Sequence, residues 1–175
     1  MAVMEKLIGI FKPSTVKDDA VSNSASGVYQ LLHLGINQID ELLVLNLRCF
    51  SAGEHYERET FQYLLSSPDY MNYCVISDKN RMVGFILISI LNQGIGHITT
   101  IGVSPDHRRR GIAKRMLQHA ERVLKRQGYG SIVLEVRENN IAAQNLYRRN
   151  GYYSIQKLFS YYTNGENAFL MSKAL

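Results

Sequence analysis

The stretch from Ile98 to Leu124 constrains this chain more than any other. It opens with a β-branched run, Ile98-Thr99-Thr100-Ile101-Gly102-Val103, and reaches the turn Ser104-Pro105. It then passes through His107-Arg108-Arg109-Arg110-Gly111 into Ile112, Ala113, Met116, Leu117, Ala120, Val123 and Leu124 at i, i+3, i+4, i+7 spacing. The first part has the composition of a strand, and the last has the single apolar stripe of an amphipathic helix. Between them Pro105 and Gly111 bracket a loop whose backbone N–H groups can converge on one centre. The free N–H groups and positive dipole end of the following helix add to the same pull on an anion. The spacing Arg108-x-x-Gly111-x-Ala113 is neither the Gly-x-x-x-x-Gly-Lys-Ser/Thr loop for nucleoside triphosphates nor the three-glycine dinucleotide fingerprint.

The remaining elements follow from periodicity and breakers. Val28 to Leu34 reads as a strand, and Ile36, Ile39, Leu42, Leu43, Leu47 and Phe50 place a helix near Asn37 to Cys49. Ser51 to Tyr56 is a loop, and Glu57 to Leu65 a short helix stopped by Ser66-Ser67-Pro68. Tyr70 to Ser77 and Met82 to Leu91 form a strand pair, Gln93 to Gly96 turns into the fourth strand, and the third helix stops at Gly128. Ser131 to Val136 is a strand and Asn140 to Arg149 a helix. Tyr152 to Tyr162 and Ala168 to Lys173 close the chain as an antiparallel pair around Thr163 to Asn167. The order β-α-α-β-β-β-α-β-α-β-β predicts an α/β (α+β) fold with a mixed sheet covered by helices. A chain of 175 residues suits one domain, here residues 28–175. Residues 1–27 include Lys17 to Gly27, which has little apolar material to bury, and are predicted to be a flexible extension.

No apolar run reaches the roughly 18 residues of a membrane helix, so no membrane partner is expected. The net charge of +5 is compatible with nucleic acid, but much of the excess lies in His107 to Arg110, Lys114 and Arg115. A polyphosphate ligand explains that cluster equally well. The basic segment lacks interleaved aromatics and any nucleic-acid motif, so no nucleic-acid partner is expected. Cys49 and Cys74, both inside apolar patterns, suggest reduced, buried thiols in a cytoplasmic protein. No metal-ligand spacing occurs, and no metal is expected.

The Arg108 to Ala113 spacing resembles the acetyl-CoA motif of the GNAT superfamily of N-acetyltransferases, where Arg/Gln-x-x-Gly-x-Gly/Ala cradles the pyrophosphate of coenzyme A. Within the superfamily the chain is most similar to the ribosomal-protein alanine N-acetyltransferases and the archaeal N-terminal acetyltransferases. That narrower match is carried by Leu134-Glu135-Val136-Arg137-Glu138-Asn139-Asn140, by Leu146 to Tyr152, and by Tyr161 to Ala168. The resemblance spans roughly residues 28 to 173. It implies a GNAT-like, mostly antiparallel twisted sheet of about seven strands, helices on both faces, and splayed fourth and fifth strands. It also implies acetyl-CoA as cosubstrate and a protein or peptide amino terminus as acceptor, a ribosomal protein among the candidates. The alternative acceptors are lysine side chains and small-molecule amines. The expected assembly is a monomer or weak homodimer.

Each chemical demand of acetyl transfer has a candidate. The backbone around Arg109, Gly111, Ile112 and Ala113 is expected to take the pyrophosphate, with Arg108 and Arg110 adding charge. The resemblance assigns the pantetheine arm to backbone near Ile101 and Val103 and to Asn140. Glu135 interrupts an apolar strand, and a carboxylate there is partly desolvated, which suits it to accept the amine proton; the competing role is to end the strand and pair with Arg137 or a neighbouring lysine. The resemblance places the general base at Glu135 and gives His97 a share in it through water. It also assigns Tyr147, twelve residues after Glu135, to the leaving thiolate. Glu54 and Tyr56 resemble a substrate-holding Glu-x-Tyr loop, and Tyr161 and Tyr162 a tyrosine pair on the closing hairpin. Relatives have Leu-Pro before that loop, where this chain has Ala52-Gly53.

Overall fold

A computed structural model describes residues 29–50, 55–91 and 94–175. The extension predicted for residues 1–27, together with Val28 and Glu54, lies outside the described residues. The chain runs through β1 (Gln30–His33), a single 3-10 turn (Ile36–Gln38), α1 (Ile39–Cys49), α2 (Arg58–Ser66), β2 (Tyr70–Ile76) and β3 (Met82–Leu91). It continues through β4 (Ile95–Val103), a second 3-10 turn (Pro105–His107), α3 (Ile112–Arg126), β5 (Ser131–Arg137), α4 (Ile141–Arg149), β6 (Tyr153–Leu158) and β7 (Ala168–Ala174). Among the described residues seven strands form one sheet in the order β1-β2-β3-β4-β5-β7-β6. β4 and β5 are parallel, while β1–β2, β2–β3, β5–β7 and β6–β7 are antiparallel. This is the expected mixed, mostly antiparallel sheet, with the expected element order. The parallel ladder is short: Ile95, Gly96 and His97 face Ser131, Ile132 and Val133, although β4 has nine residues and β5 seven.

The residues group into two compact units. One contains β1, α1, α2, β2, most of β3, Thr99 to Val103 of β4 and the first part of α3. Its core joins Leu34, Leu42, Leu45, Phe61, Leu64, Cys74, Phe85 and Leu87. Asp40 and Glu41 in the first turn of α1 and Arg48 in its last turn complement the helix dipole. Glycine is required at Gly102 by packing, because an added Cβ would lie 2.6 Å from Phe85 Cε1 and 3.1 Å from Cys49 Sγ. Cys74 is fully buried as predicted, whereas Cys49, at the end of α1, is only half-buried. Burial pushes both thiols up to about 11.

The other unit contains Ile95 to Ile98 of β4, the rest of α3, β5, α4, β6 and β7. Along β5 the burial alternates: Ile132, Leu134 and Val136 are buried, and Val133, Glu135 and Arg137 lie half-buried on the opposite face. A Cβ on Gly96 would meet Leu124 Cδ1 at 2.5 Å, so the apolar stripe of α3 reaches the β4 backbone itself. Gly128 ends α3 in the left-handed region, with Tyr129 N–H donating to the Leu124 carbonyl. The strand predicted to run to Tyr162 stops at Leu158, because Ser160 takes a positive φ and donates its N–H to Asn167 Oδ1. Tyr161 and Tyr162 therefore stand on the connection between β6 and β7.

Candidate functional site

In the first unit the loop expected to bind an anion is built from backbone. Arg109 and Gly111 both have positive φ, 63° and 78°, and α3 follows directly with no acidic residue in its first turn. Left-handed residues alternating with ordinary ones turn successive N–H groups toward one concavity, and the helix N-terminus adds its own donors. Among the described residues a Cβ on Gly111 would meet nothing within 4 Å, so they leave the space over the loop open. Ser104, buried where the loop leaves β4, has a hydroxyl with no partner among the described residues.

The arginines of the loop are partly committed to holding it. Arg108 Nε donates to the Val103 carbonyl at 3.3 Å and its Nη2 to the Cys49 carbonyl at 3.5 Å. Arg110 donates to the Tyr29 hydroxyl at 3.3 Å, which also lies 3.0 Å from His107 Nδ1, and Arg115 donates to the Tyr29 carbonyl. All three residues from Arg108 to Arg110 are exposed, so their charge still faces solvent and any anion there. The Ile112 side chain packs in the core beside Gly84, leaving its N–H as the group a ligand can use. Ile101 is half-buried on β4. Tyr56 stacks edge-on against Phe61, and its carbonyl accepts from the buried Asn46 at 3.2 Å. Asn46 was missed by sequence reasoning, which saw only its helical position.

In the second unit His97 Nε2 lies 2.7 Å from Glu135 Oε2, with side-chain exposures of 5% and 18%. The contact follows from register: His97 is opposite Val133 in the parallel ladder, and Glu135 is the next residue on that face of β5. The two side chains are therefore in direct hydrogen-bond contact. A carboxylate only accepts, so with Glu135 ionised the proton is assigned to Nε2. Glu135 then keeps Oε1 for another donor. The alternative partner, Arg137, is taken: it pairs with Glu166 and its guanidinium carbon lies 3.6 Å from the centroid of the Tyr162 ring. Tyr161 packs edge-on against Tyr162 at 5.1 Å.

Asn140 caps α4, its Oδ1 accepting from Ala143 N–H at 3.0 Å, which leaves its side-chain NH2 for a ligand. Gln144, also missed by sequence reasoning, is buried and donates to the Arg137 and Glu138 carbonyls, tying the end of β5 to α4. Tyr147 is buried on α4 with its ring 5.8 Å from that of Tyr152. Burial pushes its hydroxyl above the ordinary phenol range.

Comparison with known proteins shows the family. Residues 39–152 match the acetyltransferase (GNAT) family. An N-alpha-acetyltransferase of Sulfurisphaera tokodaii is 37% identical over 160 residues, covering 84% of this chain and 93% of that protein. The ard1 catalytic subunit of the N-terminal acetyltransferase A complex of Schizosaccharomyces pombe is 32% identical over 136 residues, covering 73% and 76%. The fold superposes on the ribosomal-protein alanine N-acetyltransferase of Escherichia coli with a TM-score of 0.76 at 23% identity, covering 84% of this chain and 94% of that one.

Proposed function

The chain belongs to the acetyltransferase (GNAT) family, and from that premise we propose that it moves the acetyl group of acetyl-CoA onto the free α-amine of a peptide or protein amino terminus. The observation that carries the mechanism is the carboxylate of Glu135, held 2.7 Å from the buried His97 on the polar face of β5. The relatives named as amino-terminal acetyltransferases support the choice of acceptor.

The residues of the loop fit a pyrophosphate: backbone donors over an open space, exposed arginines and the start of a 15-residue helix. Arg109, Gly111, Ile112 and Ala113 hold it through the backbone, Arg108 keeps the loop in shape, and Arg110 supplies charge. When bound, acetyl-CoA supplies the thioester whose carbonyl carbon the amine attacks. Glu135 accepts the proton that the ammonium must lose, and His97 fixes the carboxylate by donating to its other oxygen. Tyr147 faces the opposite demand. Its raised pKa keeps the hydroxyl protonated and makes it a weaker acid than an ordinary phenol, so it serves the departing sulfur as a hydrogen-bond donor.

The test is acetylation of a matched peptide set, each with an internal lysine, with free and with blocked amino termini. Acetyl found on the α-amine alone, with blocked peptides inert, is the expected result. Equal acetylation of the lysine in blocked peptides overturns the acceptor assignment.

A further inference from the structure

The connection from Phe159 to Asn167 is fixed more firmly than its burial explains. Ser160 N–H donates to Asn167 Oδ1, Asn167 Nδ2 donates to Glu138 Oε2 at 2.7 Å, and Glu138 N–H donates to the Asn167 carbonyl. Tyr162 N–H bonds the Glu166 carbonyl, and Gly165 N–H returns to the Tyr162 carbonyl at 2.8 Å. At the centre, Arg137 pairs with Glu166, reaches Asn164 Oδ1 at 3.4 Å and covers the Tyr162 ring, with side-chain exposures of only 16% for Arg137 and 20% for Glu166. What this bracing displays is aromatic and open to solvent: Phe159 is 76% exposed and Tyr161 45%. Ordering a loop costs conformational entropy, and one that buries so little apolar surface returns little of it as fold stability. Rigid exposed aromatics are the composition of a binding platform, where rigidity lowers the entropy lost on association.

We infer that Arg137 is a positioning residue for the acceptor, holding Tyr161 and Tyr162 as a preformed platform on the same face of β5 as Glu135. This rests on the reading of the acceptor as an amino terminus given above. Arginine suits the task because its planar guanidinium stacks on a ring and bonds a carboxylate at once, which a lysine cannot reproduce. Glu166 holds the guanidinium in the plane that stacking needs. The device acts on acceptor binding, so it leaves the acetyl-CoA loop and the proton acceptor unaltered.

The experiment is steady-state kinetics of Arg137→Gln, Arg137→Lys and Glu166→Gln with one free-amino-terminus peptide, each substrate varied in turn, beside melting curves. The KM for peptide should rise about tenfold in Arg137→Gln, less in Arg137→Lys and Glu166→Gln, the first factor being that of one lost charge-assisted contact. The kcat at saturating peptide and the KM for acetyl-CoA should stay within about twofold. Peptide KM unchanged in all three variants, or a parallel fall in kcat and in affinity for both substrates, overturns the positioning role. If Arg137→Gln fails to fold, Glu166→Gln decides alone by the same criterion. A parent enzyme inert toward every free-amino-terminus peptide overturns the acceptor reading and the clamp's role with it. An active parent with unaffected variants overturns the clamp alone.

Discussion

Gly111→Val separates the anion-binding loop from the rest of the fold. A Cβ there would meet no atom of the described residues within 4 Å, so the cost to the fold is reckoned as the strain of a β-branched residue held at φ 78°. Such strain is of order 1–3 kcal/mol, below the roughly 5–15 kcal/mol that holds a domain folded. The variant should therefore fold, while its valine occupies the open space over the loop and skews the N–H groups. In the parent, acetyl-CoA at 100 times its dissociation constant should add about 2.7 kcal/mol. For a chain of this length that is a shift of about 5–10 °C in melting temperature. Thermal denaturation with and without saturating CoA reads both effects: the parent should show the shift and Gly111→Val should lose it. A parent that saturating CoA leaves unshifted, or a variant that keeps the full shift, refutes the assignment of this loop.

Three further outcomes are expected. Gly96→Ala should cost about 1–3 kcal/mol of overpacking, because the new methyl meets Leu124, which is fully buried, at 2.5 Å; a melting temperature equal to that of the parent contradicts this. Tyr147→Phe should lower kcat with little change in either KM, and raising the pH to 9.5 should not restore it, since the role proposed for the lost hydroxyl is at the leaving sulfur. Hydrogen bonds from Arg137 and from Lys157 hold Glu166 and Glu138 below the usual carboxylate range. Both folded values lie below the unfolded value of about 4.3, so these contacts stabilise above that pH and are lost as pH falls through the folded values. Melting temperature measured downward from pH 6 should fall more steeply in the parent than in Glu166→Gln.

Sequence pattern made the elements legible where one face is buried. The stripe from Ile112 to Leu124 gave α3, and the alternation around Glu135 gave β5. It failed where side chains override the pattern: Tyr152 to Tyr162 reads as one strand, but Ser160, Asn164 and Asn167 turn its second half into a braced connection. The spacing around Gly111 also pointed to the loop. Contacts set by register were not legible. Nothing local to His97 or Glu135 says that a parallel ladder puts His97 one step from Glu135 on the same face, within hydrogen-bond distance. Likewise Arg137 is a plausible partner for Glu135 by sequence distance, yet Glu166, brought in along β7, claims it.

The measurement that tests the central claim most directly is the pH dependence of turnover in Glu135→Gln, from pH 6.5 to 9.5, on a peptide with a free amino terminus. The substitution keeps the shape of the side chain and its contact with His97 but removes the proton acceptor. Turnover at pH 7 should fall by roughly 10²-fold or more. The defect should shrink as the pH passes the α-amine value of about 7.7–8.0, where solvent supplies the neutral nucleophile. Acetyl-CoA affinity should hold throughout. A Glu135→Gln enzyme nearly as active as the parent at pH 7, with His97→Ala inactive, would place the base on β4 and contradict the account.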